Sequence, residues 1–496
     1  MLATKAGNAE ISASEGWALP AVGVAPPASA DSITCGGFSM KRTIYTALAT
    51  TAAVGLLAGT AFAQAMNSGE ARTGVEYCTT TMTSPTHNNC VMPTAQAPGG
   101  GSFPGSFLVP GTNTSFAVHG FVRLDMYHWL GPIGGGGPNG WSRYSIPLNG
   151  TAAHSTNGGT VLQADTTRPN IETITPTSYG AVKTYIEFDF NQTGAGQLGG
   201  NNELLRLRQA YGTLGPWLIG QAYSLMADPV AYADTATGTQ DAGMMNTTNV
   251  RRPEFRYTWL AGNGLSIAAS AEQPTYQGSY ASYATATGTG ALGTLGDNET
   301  NASTGGYSNW PGFAGAGEWD QPWGHLKLAL GVTPEQHRDV AGSAFHNASN
   351  TGYALRLSGH LNTIGKDALR GGFFYDDGGA DWSSDMPNGG IVYNTTTGAS
   401  DTVKAWAGYA SYEHFFSGQW RGNVAGGYAH DSGTAGVNST ALAGIQESTY
   451  TTELNIVYSP VPQTDFFLEW DRAYRKMQTG LDGTQDVIDA QFNFYF

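Results

Sequence analysis

The chain is poor in cysteine, in charge and in long apolar runs. Its 496 residues include 3 cysteines, and charged residues make up 12% of the total. So few cysteines provide no metal-binding pattern, and no cofactor is predicted. Acidic residues outnumber basic ones by 38 to 23, and the resulting net charge of -15 argues against nucleic acid as a partner. Glycine (69) and tyrosine (24) are abundant instead, which suits many strands, long polar loops and interfacial aromatic residues.

The first 65 residues carry features of targeting. Residues 40–42 read MKR, a mild apolar run covers residues 47–63, and the AQA at residues 63–65 has the spacing of a cleavage site. Residues 40–65 are therefore predicted to be a signal peptide, with an amphipathic or buried helix as the alternative. Residues 1–39 are predicted to be translation from a start codon placed too far upstream. Beyond them no apolar run approaches the length of a membrane helix.

Export would decide which cysteines can form a disulfide. Cys35 precedes the predicted signal peptide, so Cys78 and Cys90 are the pair that enters an oxidising compartment. We expect a disulfide between them, with two free thiols as the alternative. Residues 66–114, which are rich in Gly, Pro and Thr, are predicted to form a periplasmic extension without a core of its own.

From residue 116 onward, apolar and polar residues alternate with a period of two. In residues 115–129, Val118 and Leu124 share one face, whereas Arg123 and Asp125 share the other. Such a period is the primary signal for strands with two different faces. The chain therefore reads as a long series of amphipathic strands.

The C-terminus repeats this pattern in its last residues, DVIDAQFNFYF. Phe492, Phe494 and Phe496 fall on one face, and Asp489 and Gln491 fall on the other. A strand that is apolar outside and polar inside fits the wall of a membrane barrel.

Alternation alone does not separate a membrane barrel from a soluble sandwich. Charges deep within strands, aromatic residues at strand ends, and connections that alternate between very short and very long favour the barrel. The expected short turns lie at residues 212–217, 260–266, 362–368, 415–420 and 459–465, and the expected long loops at residues 130–178, 276–316 and 376–402. We predict an all-β, transmembrane antiparallel β-barrel over residues 115–496, with long extracellular loops and short periplasmic turns. Sixteen and 18 strands are both possible for tilted strands of about ten residues, and 16 are favoured.

Four stretches resemble, in this order, the first strands of DcaP-like porins of the Gram-negative outer membrane. They are AVHGFVRLDMYH, TSYGAVKTYIEFDF, LLRLRQAYGTLGPWLIGQAYSLMADP and NVRRPEFRYTW. The resemblance implies a homotrimeric channel for small anionic solutes such as dicarboxylates, in contact with outer-membrane lipid and lipopolysaccharide. It also implies that Phe492, Phe494 and Phe496 form the signal read by the outer-membrane assembly machinery. The coiled-coil extension of that family has no counterpart here, because residues 66–114 contain no heptads.

Residues 220–250 are predicted to fold into the barrel and narrow it, since they follow an early strand. This loop carries Asp228, Asp234 and Asp241. The polar side chains expected to face it from the wall are Arg123, Lys183, Arg206, Arg208, Arg252, Glu254 and Arg256. Facing charges across a water-filled constriction create a transverse field that orients dipolar solutes, and the resemblance implies that such arginines favour anions. Alternatively, the arginines pair with Glu187, Asp189, Glu203 and Glu254 and keep the inner wall polar.

Three alternatives to this function stay open. A carbohydrate-preferring porin would share all of these features. An outer-membrane enzyme would need a Ser-His-acid arrangement, and Ser358 and His360, the nearest approach, are two apart on one strand, which is poor geometry for a triad. No catalytic residue is therefore predicted. A secreted adhesin or lectin would tolerate the long loops but leaves the aromatic C-terminus unexplained.

Overall fold

The computed structural model describes residues 100–132, 146–151, 154, 158–193, 203–236, 251–274, 278–281, 306–307, 310–337, 348–379, 382, 391–394, 400–432 and 446–496. The predictions for residues 1–99, including the signal peptide and the Cys78–Cys90 disulfide, lie outside these residues. In the described ranges no helix is long and apolar enough to cross a membrane.

Sixteen strands form the wall of one closed sheet. They are β1 (Ser115–Trp129), β2 (in two segments, Thr160–Gln163 and Arg168–Thr177), β3 (Gly180–Thr193), β4 (Glu203–Leu214), β5 (Trp217–Tyr223), β6 (Arg251–Gly262), β7 (Leu265–Glu272), β8 (Gly312–Gln321), β9 (Gly324–His337), β10 (Ala348–Asn362), β11 (Ala368–Asp377), β12 (Lys404–Phe415), β13 (Trp420–Asp431), β14 (Gln446–Tyr458), β15 (Thr464–Met477) and β16 (Asp482–Tyr495). Each strand pairs antiparallel with its neighbours, and β16 pairs back to β1. The predicted antiparallel barrel of 16 strands is confirmed.

The seam between β1 and β16 closes the barrel. Its register runs from Phe121 opposite Tyr495 to Trp129 opposite Val487. Beyond it, the backbone N–H groups of Gly120 and Phe496 each donate to the other residue's carbonyl, at 3.1 and 3.0 Å. A closed sheet has no open edge, so its backbone polar groups are satisfied even where lipid surrounds it.

The two faces of the wall differ as the alternation predicts. On β1, Val122 is 51% exposed and points outward, whereas Asp125 is 1% exposed and points inward. On β16, Phe494 points outward and Asn493 inward. The outer face is thus a band of Leu, Val, Ile and aromatic side chains suited to lipid, and the inner face of these two strands is polar.

The two ends of the barrel differ in the length of their connections. The five short turns predicted from the sequence are found between consecutive wall strands. In the turn between β6 and β7, Asn263 (φ 53°) and Gly264 (φ 74°) both have left-handed backbone, as expected for an Asn-Gly hairpin. The predicted loop boundaries near residues 316 and 402 agree within a few residues with the start of β8 and β12.

The prediction of one long loop over residues 130–178 is wrong for its second half, because β2 lies there. Residues Gly120 and Phe121 of β1 pair with Pro169 and Arg168 of β2. Prolines at positions 169 and 176 and the many threonines around them weaken the alternation on which the expectation rested. The strand is held by its neighbours β1 and β3 rather than by an apolar pattern of its own.

A few short elements lie outside the 16 wall strands. The strand Phe107–Leu108, which lies in the predicted extension, pairs with the start of β1. Two of the long loops meet in a small sheet of Gly278–Ala281, Ile391–Asn394 and Ser400–Thr402. A 3-10 turn, Pro229–Ala231, lies in the described part of the connection after β5.

One side of the barrel interior is packed with apolar side chains. We name its small wall residues on β7 to β13 the alanine face: Ala268, Ala314, Ala316, Ala329, Ala354, Ala405, Ala407 and Ala429. Leu225 and Met226 from the connection after β5, Phe374 on β11 and Trp382 form one buried cluster with this face. Small wall residues leave room for loops to pack inside the barrel.

Candidate functional site in the barrel interior

Residues 224–236, after β5, turn into the barrel and run along its inner wall. The Lys327 ammonium on β9 donates to the carbonyl of Ala227 at 2.7 Å. The Tyr409 hydroxyl on β12 donates to the carbonyl of Ala231 at 2.6 Å. Since these wall strands lie far from β5 around the barrel, the described part of the loop crosses the interior, as expected for residues 220–250. We call residues 224–236 the inner loop.

Asp228 anchors the inner loop to β9 and β10. The Ser358 hydroxyl donates to its carboxylate at 2.6 Å, and His325 Nε2 lies 3.2 Å from it. The other ring nitrogen of His325 lies 2.6 Å from the Asp320 carboxylate, and its ring stacks on His360 at 6.0 Å. A histidine between two carboxylates thus holds the loop. Ser358 serves this anchor, and its geometry gives no catalytic triad.

Asp234 forms a second anchor on β13 and β14. The Arg421 guanidinium donates to its carboxylate at 2.6 Å, and the Asn455 amide donates to its backbone carbonyl at 2.7 Å. Arg421 also lies 3.3 Å from the Glu413 carboxylate. Asp228 and Asp234 therefore bind wall residues that the sequence analysis did not assign to the pore, and Asp241 lies outside the described residues. The alternation in residues 324–333 and 353–362 marks the strands of His325 and Ser358, but strand patterns alone do not say which inner positions meet the loop.

Arg252, Glu254 and Arg256 on β6 are buried beside the inner loop rather than opposite it. Arg256 donates to the Glu254 carboxylate at 2.7 Å and to the backbone carbonyl of Tyr223. The Arg252 guanidinium lies 4.8 Å from the ring centre of Trp382. The reason for this difference from expectation is that the loop begins at the end of β5, the strand paired with β6, so the inner side chains of β6 lie next to the start of the loop.

Lys183 lies apart from the inner loop. It is three residues after the start of β3, next to the turn from β2, and its ammonium pairs with the Glu172 carboxylate at 2.9 Å. The structure therefore does not bring it together with the other predicted cations.

Arg206 and Arg208 on β4 pair with carboxylates of β3. Arg206 lies 2.7 Å from Asp189, and Arg208 lies 2.7 Å from Glu187 and 2.9 Å from Asp189. These ion pairs, like that of Arg256, are those of the alternative interpretation. The side chain of the Glu203 partner lies outside the described residues.

Three further arginines extend this group. The guanidinium groups of Arg123 and Arg168 lie 4.8 and 5.2 Å from the ring centre of Phe121. Arg251 lies 5.4 Å from the ring of Tyr223. Arg168 lies near enough to Arg208 and Arg123 for their charges to repel and also interacts with the Glu187 carboxylate, and Arg251 lies near Arg206 and Arg208. We call the set the arginine arc: Arg123, Arg168, Arg206, Arg208 and Arg251. Sequence reasoning missed Arg168 because its strand was taken for a loop, and Arg251 because only alternate residues of β6 were considered.

Carboxylates cover the adjoining part of the wall. We call this set the acidic arc: Asp125, Glu453, Glu469, Asp471 and Asp489. Glu453 stands opposite Asp471 and Glu469 opposite Asp489 in the strand register. Each is at most 1% exposed. The Ala236 N–H of the inner loop donates to both Glu469 oxygens, at 3.0 and 2.9 Å, so the loop covers part of the arc. The two arcs meet on β1, where Arg123 and Asp125 are neighbours.

A closed antiparallel barrel with a loop folded inside it and a charged inner wall is the architecture of an outer-membrane channel. The family model of the porin subfamily matches residues 104–489. The chain therefore belongs to the porin subfamily, and it is a channel protein of the outer membrane.

Two relatives illustrate this membership. The chain is 24% identical to Porin Omp2b of Brucella suis over 177 residues, which are 34% of this chain and 40% of that protein, so the match spans less than half of the relative. Its fold is similar to that of the outer membrane channel DcaP of Acinetobacter baumannii, with a TM-score of 0.63 and 16% identity over 79% of this chain and 99% of that one. The predicted resemblance to DcaP-like porins is confirmed.

Proposed function

We propose that the protein is a passive channel that admits small hydrophilic solutes and prefers anions such as dicarboxylates. The observation that carries the proposal is the difference in exposure between Arg206, in the arginine arc, and its carboxylate partner Asp189. The Arg206 side chain is 33% exposed, whereas its partner Asp189 is 0% exposed. A solute that approaches this pair therefore meets the Arg206 guanidinium before it meets the Asp189 carboxylate.

The local balance of charge supports the same preference. Arg168, Arg206, Arg208 and Arg251 are grouped around two carboxylates, Glu187 and Asp189. The net charge of this group is positive, and the carboxylates of the acidic arc are buried beneath the inner loop and their neighbours. Arginine favours carboxylate because its planar donors match two carboxylate oxygens at once.

The mode of action follows from the same features. An anion would be attracted into the lumen and would exchange its partners along the arginine arc without a chemical step. Two charged carboxylates on one solute would interact with two arginines in succession, so a dicarboxylate would reside longer than a monocarboxylate. Sites that bind weakly and in series allow both entry and exit.

The proposal includes the biogenesis expected from the sequence. The chain would be exported by residues 40–65, oxidised at Cys78 and Cys90, and inserted through recognition of Phe492, Phe494 and Phe496 by the assembly machinery. It would then work as a homotrimer surrounded by outer-membrane lipid and lipopolysaccharide. The outward position of the terminal phenylalanines supports the recognition step.

The test is the zero-current potential of the refolded protein in a planar bilayer under a salt gradient, followed by addition of succinate. Anion preference and block of the current by succinate are expected. Cation preference would refute the proposed substrate class. Block by sugars without block by succinate would favour the carbohydrate-preferring alternative.

A further inference from the structure

A second connection reaches the barrel interior beside the inner loop. Trp382, between β11 and β12, is 0% exposed and packs in the same cluster as Leu225 and Met226. Its backbone N–H donates to the carbonyl of Gly379 at 2.9 Å. The indole is therefore held inside the barrel from a position near the end of β11.

The wall lacks side chains where this indole lies. A Cβ atom added at Gly331 on β9 would lie 2.6 Å from Cε2 of Trp382, and one added at Gly312 on β8 would lie 3.0 Å from Cζ2. Any other residue at position 331 would overlap with the ring. The Arg252 guanidinium of β6 lies 4.8 Å from a ring centre of the same indole. Wall strands on two sides thus form a fitted seat for one aromatic side chain.

The seat continues the packing of the alanine face. With Leu225 and Met226 from the inner loop and Phe374 from β11, Trp382 fills the interior next to β7 to β13. The arginine and acidic arcs belong to the other strands, β14 to β16 and β1 to β6. A buried tryptophan removes a large area from water, and close packing around it occupies the space between the inner loop and this part of the wall.

We propose that Trp382 determines the size limit of the channel. Its indole closes the space between the inner loop and the wall at β8 and β9, and it thereby confines permeation to the side of the two arcs. This inference rests on the proposed channel function but not on the preference for anions.

The test compares variants by single-channel conductance and by the size of the largest polyethylene glycol that enters the pore and lowers the current. Trp382→Ala is expected to raise the conductance and to shift the polymer cut-off to larger sizes. Gly331→Ala is expected to shift the cut-off in the same direction, because its methyl group displaces the indole.

The two substitutions should act through one contact. In a Trp382→Ala background, the added Gly331→Ala substitution should produce no further shift, since there is no indole left to displace. Matched controls are Gly315→Ala, whose new Cβ would come no closer than 3.9 Å to its nearest neighbour, and Trp319→Ala on the outer face. Both controls should keep the wild-type cut-off.

The possible results distinguish the size inference, the proposed selectivity and the channel function from one another. An unchanged cut-off in folded, heat-modifiable Trp382→Ala overturns the inference, as does a Gly331→Ala shift of equal size with and without the indole. A barrel that conducts without anion preference overturns the proposed selectivity and leaves the size comparison intact. A wild-type barrel that does not conduct overturns both the channel function and the inference that rests on it.

Discussion

Neutralising Arg168 should weaken the preference of the channel for anions. This residue is suited to the test because it extends the arginine arc from β2, and its Nε has no hydrogen-bond partner within the described ranges. Replacing it with glutamine removes one positive charge, and Glu187, the carboxylate that interacts with it, keeps its ion pair with Arg208 at 2.7 Å. The substitution Arg206→Gln is less clean, because it would also remove a ligand of the buried Asp189.

The size of the effect follows from Coulomb's law. A solute charge that passes at about 7 Å in water interacts with the guanidinium by about 0.6 kcal/mol. Screening in 0.1 M salt, with a Debye length of about 10 Å, reduces this to about 0.3 kcal/mol. Removing the charge then lowers the anion current about 1.7-fold and raises the cation current by the same factor, so their ratio falls about threefold.

The assay is the zero-current potential of Arg168→Gln in a salt gradient, measured around 0.1 M and again around 1 M. At about 1 M the Debye length falls to about 3 Å, so the difference from wild type should nearly vanish. Lys404→Gln is the control, since this lysine lies on the outer face of β12 and its side chain is 57% exposed. An effect of the same size at both salt concentrations, or one shared with the control, would refute the electrostatic reasoning.

Three further predictions concern the anchoring of the inner loop, the stability of the barrel at low pH and its assembly. Asp234→Ala should free the inner loop from Arg421 and increase low-frequency noise in single-channel recordings, because it removes a charge-assisted hydrogen bond of 2.6 Å; quiet openings like those of wild type would contradict this. Asp367, in the turn before β11, accepts from the Phe415 N–H and from His414, and these bonds lower the pKa of its carboxyl. The stabilisation is therefore present above the pKa of the unfolded chain and is lost as the pH falls through the folded pKa. Asp367→Asn should consequently reduce the acid-side drop in the midpoint of heat-induced unfolding, measured by gel mobility, and a pH profile identical to wild type would rule the bonds out as its cause. Phe496→Ala should lower the yield of folded, heat-modifiable barrel in the outer membrane, while Phe416→Ala, which is also exposed, should not; equal losses would argue against a terminal signal.

The wall of the barrel could be predicted from sequence because each strand carries its own alternation. Val122, Arg123 and Leu124 already distinguish the outside from the inside, and closure requires only that such strands pair in order. The strand β2 could not be predicted, because Pro169 and Pro176 break the local pattern and its place is fixed by pairing with β1 and β3.

The interior was less predictable because its contacts join residues that are distant in the chain. Asp228 meets Ser358, 130 residues away, and Asp234 meets Arg421, 187 residues away. Alternation says that these side chains point inward but not how the inner loop travels between them. For the same reason Arg252 and Arg256 could be assigned to the inner face, whereas their burial beside the loop could not.

The alanine face gives the two halves of one wall different tolerances to substitution. Larger residues there would overpack a filled interior, at a cost of about 1 to 3 kcal/mol each, and would reduce the yield of folded barrel before they changed the current. A substitution of Arg206, the arc member that is 33% exposed, changes charge next to water and leaves that packing alone. Among variants selected for new solutes, substitutions should therefore accumulate around β2 and β4, while the inner residues of β7 to β13 stay nearly constant. One half of the barrel would then maintain the fold, and the other half could change with the solute.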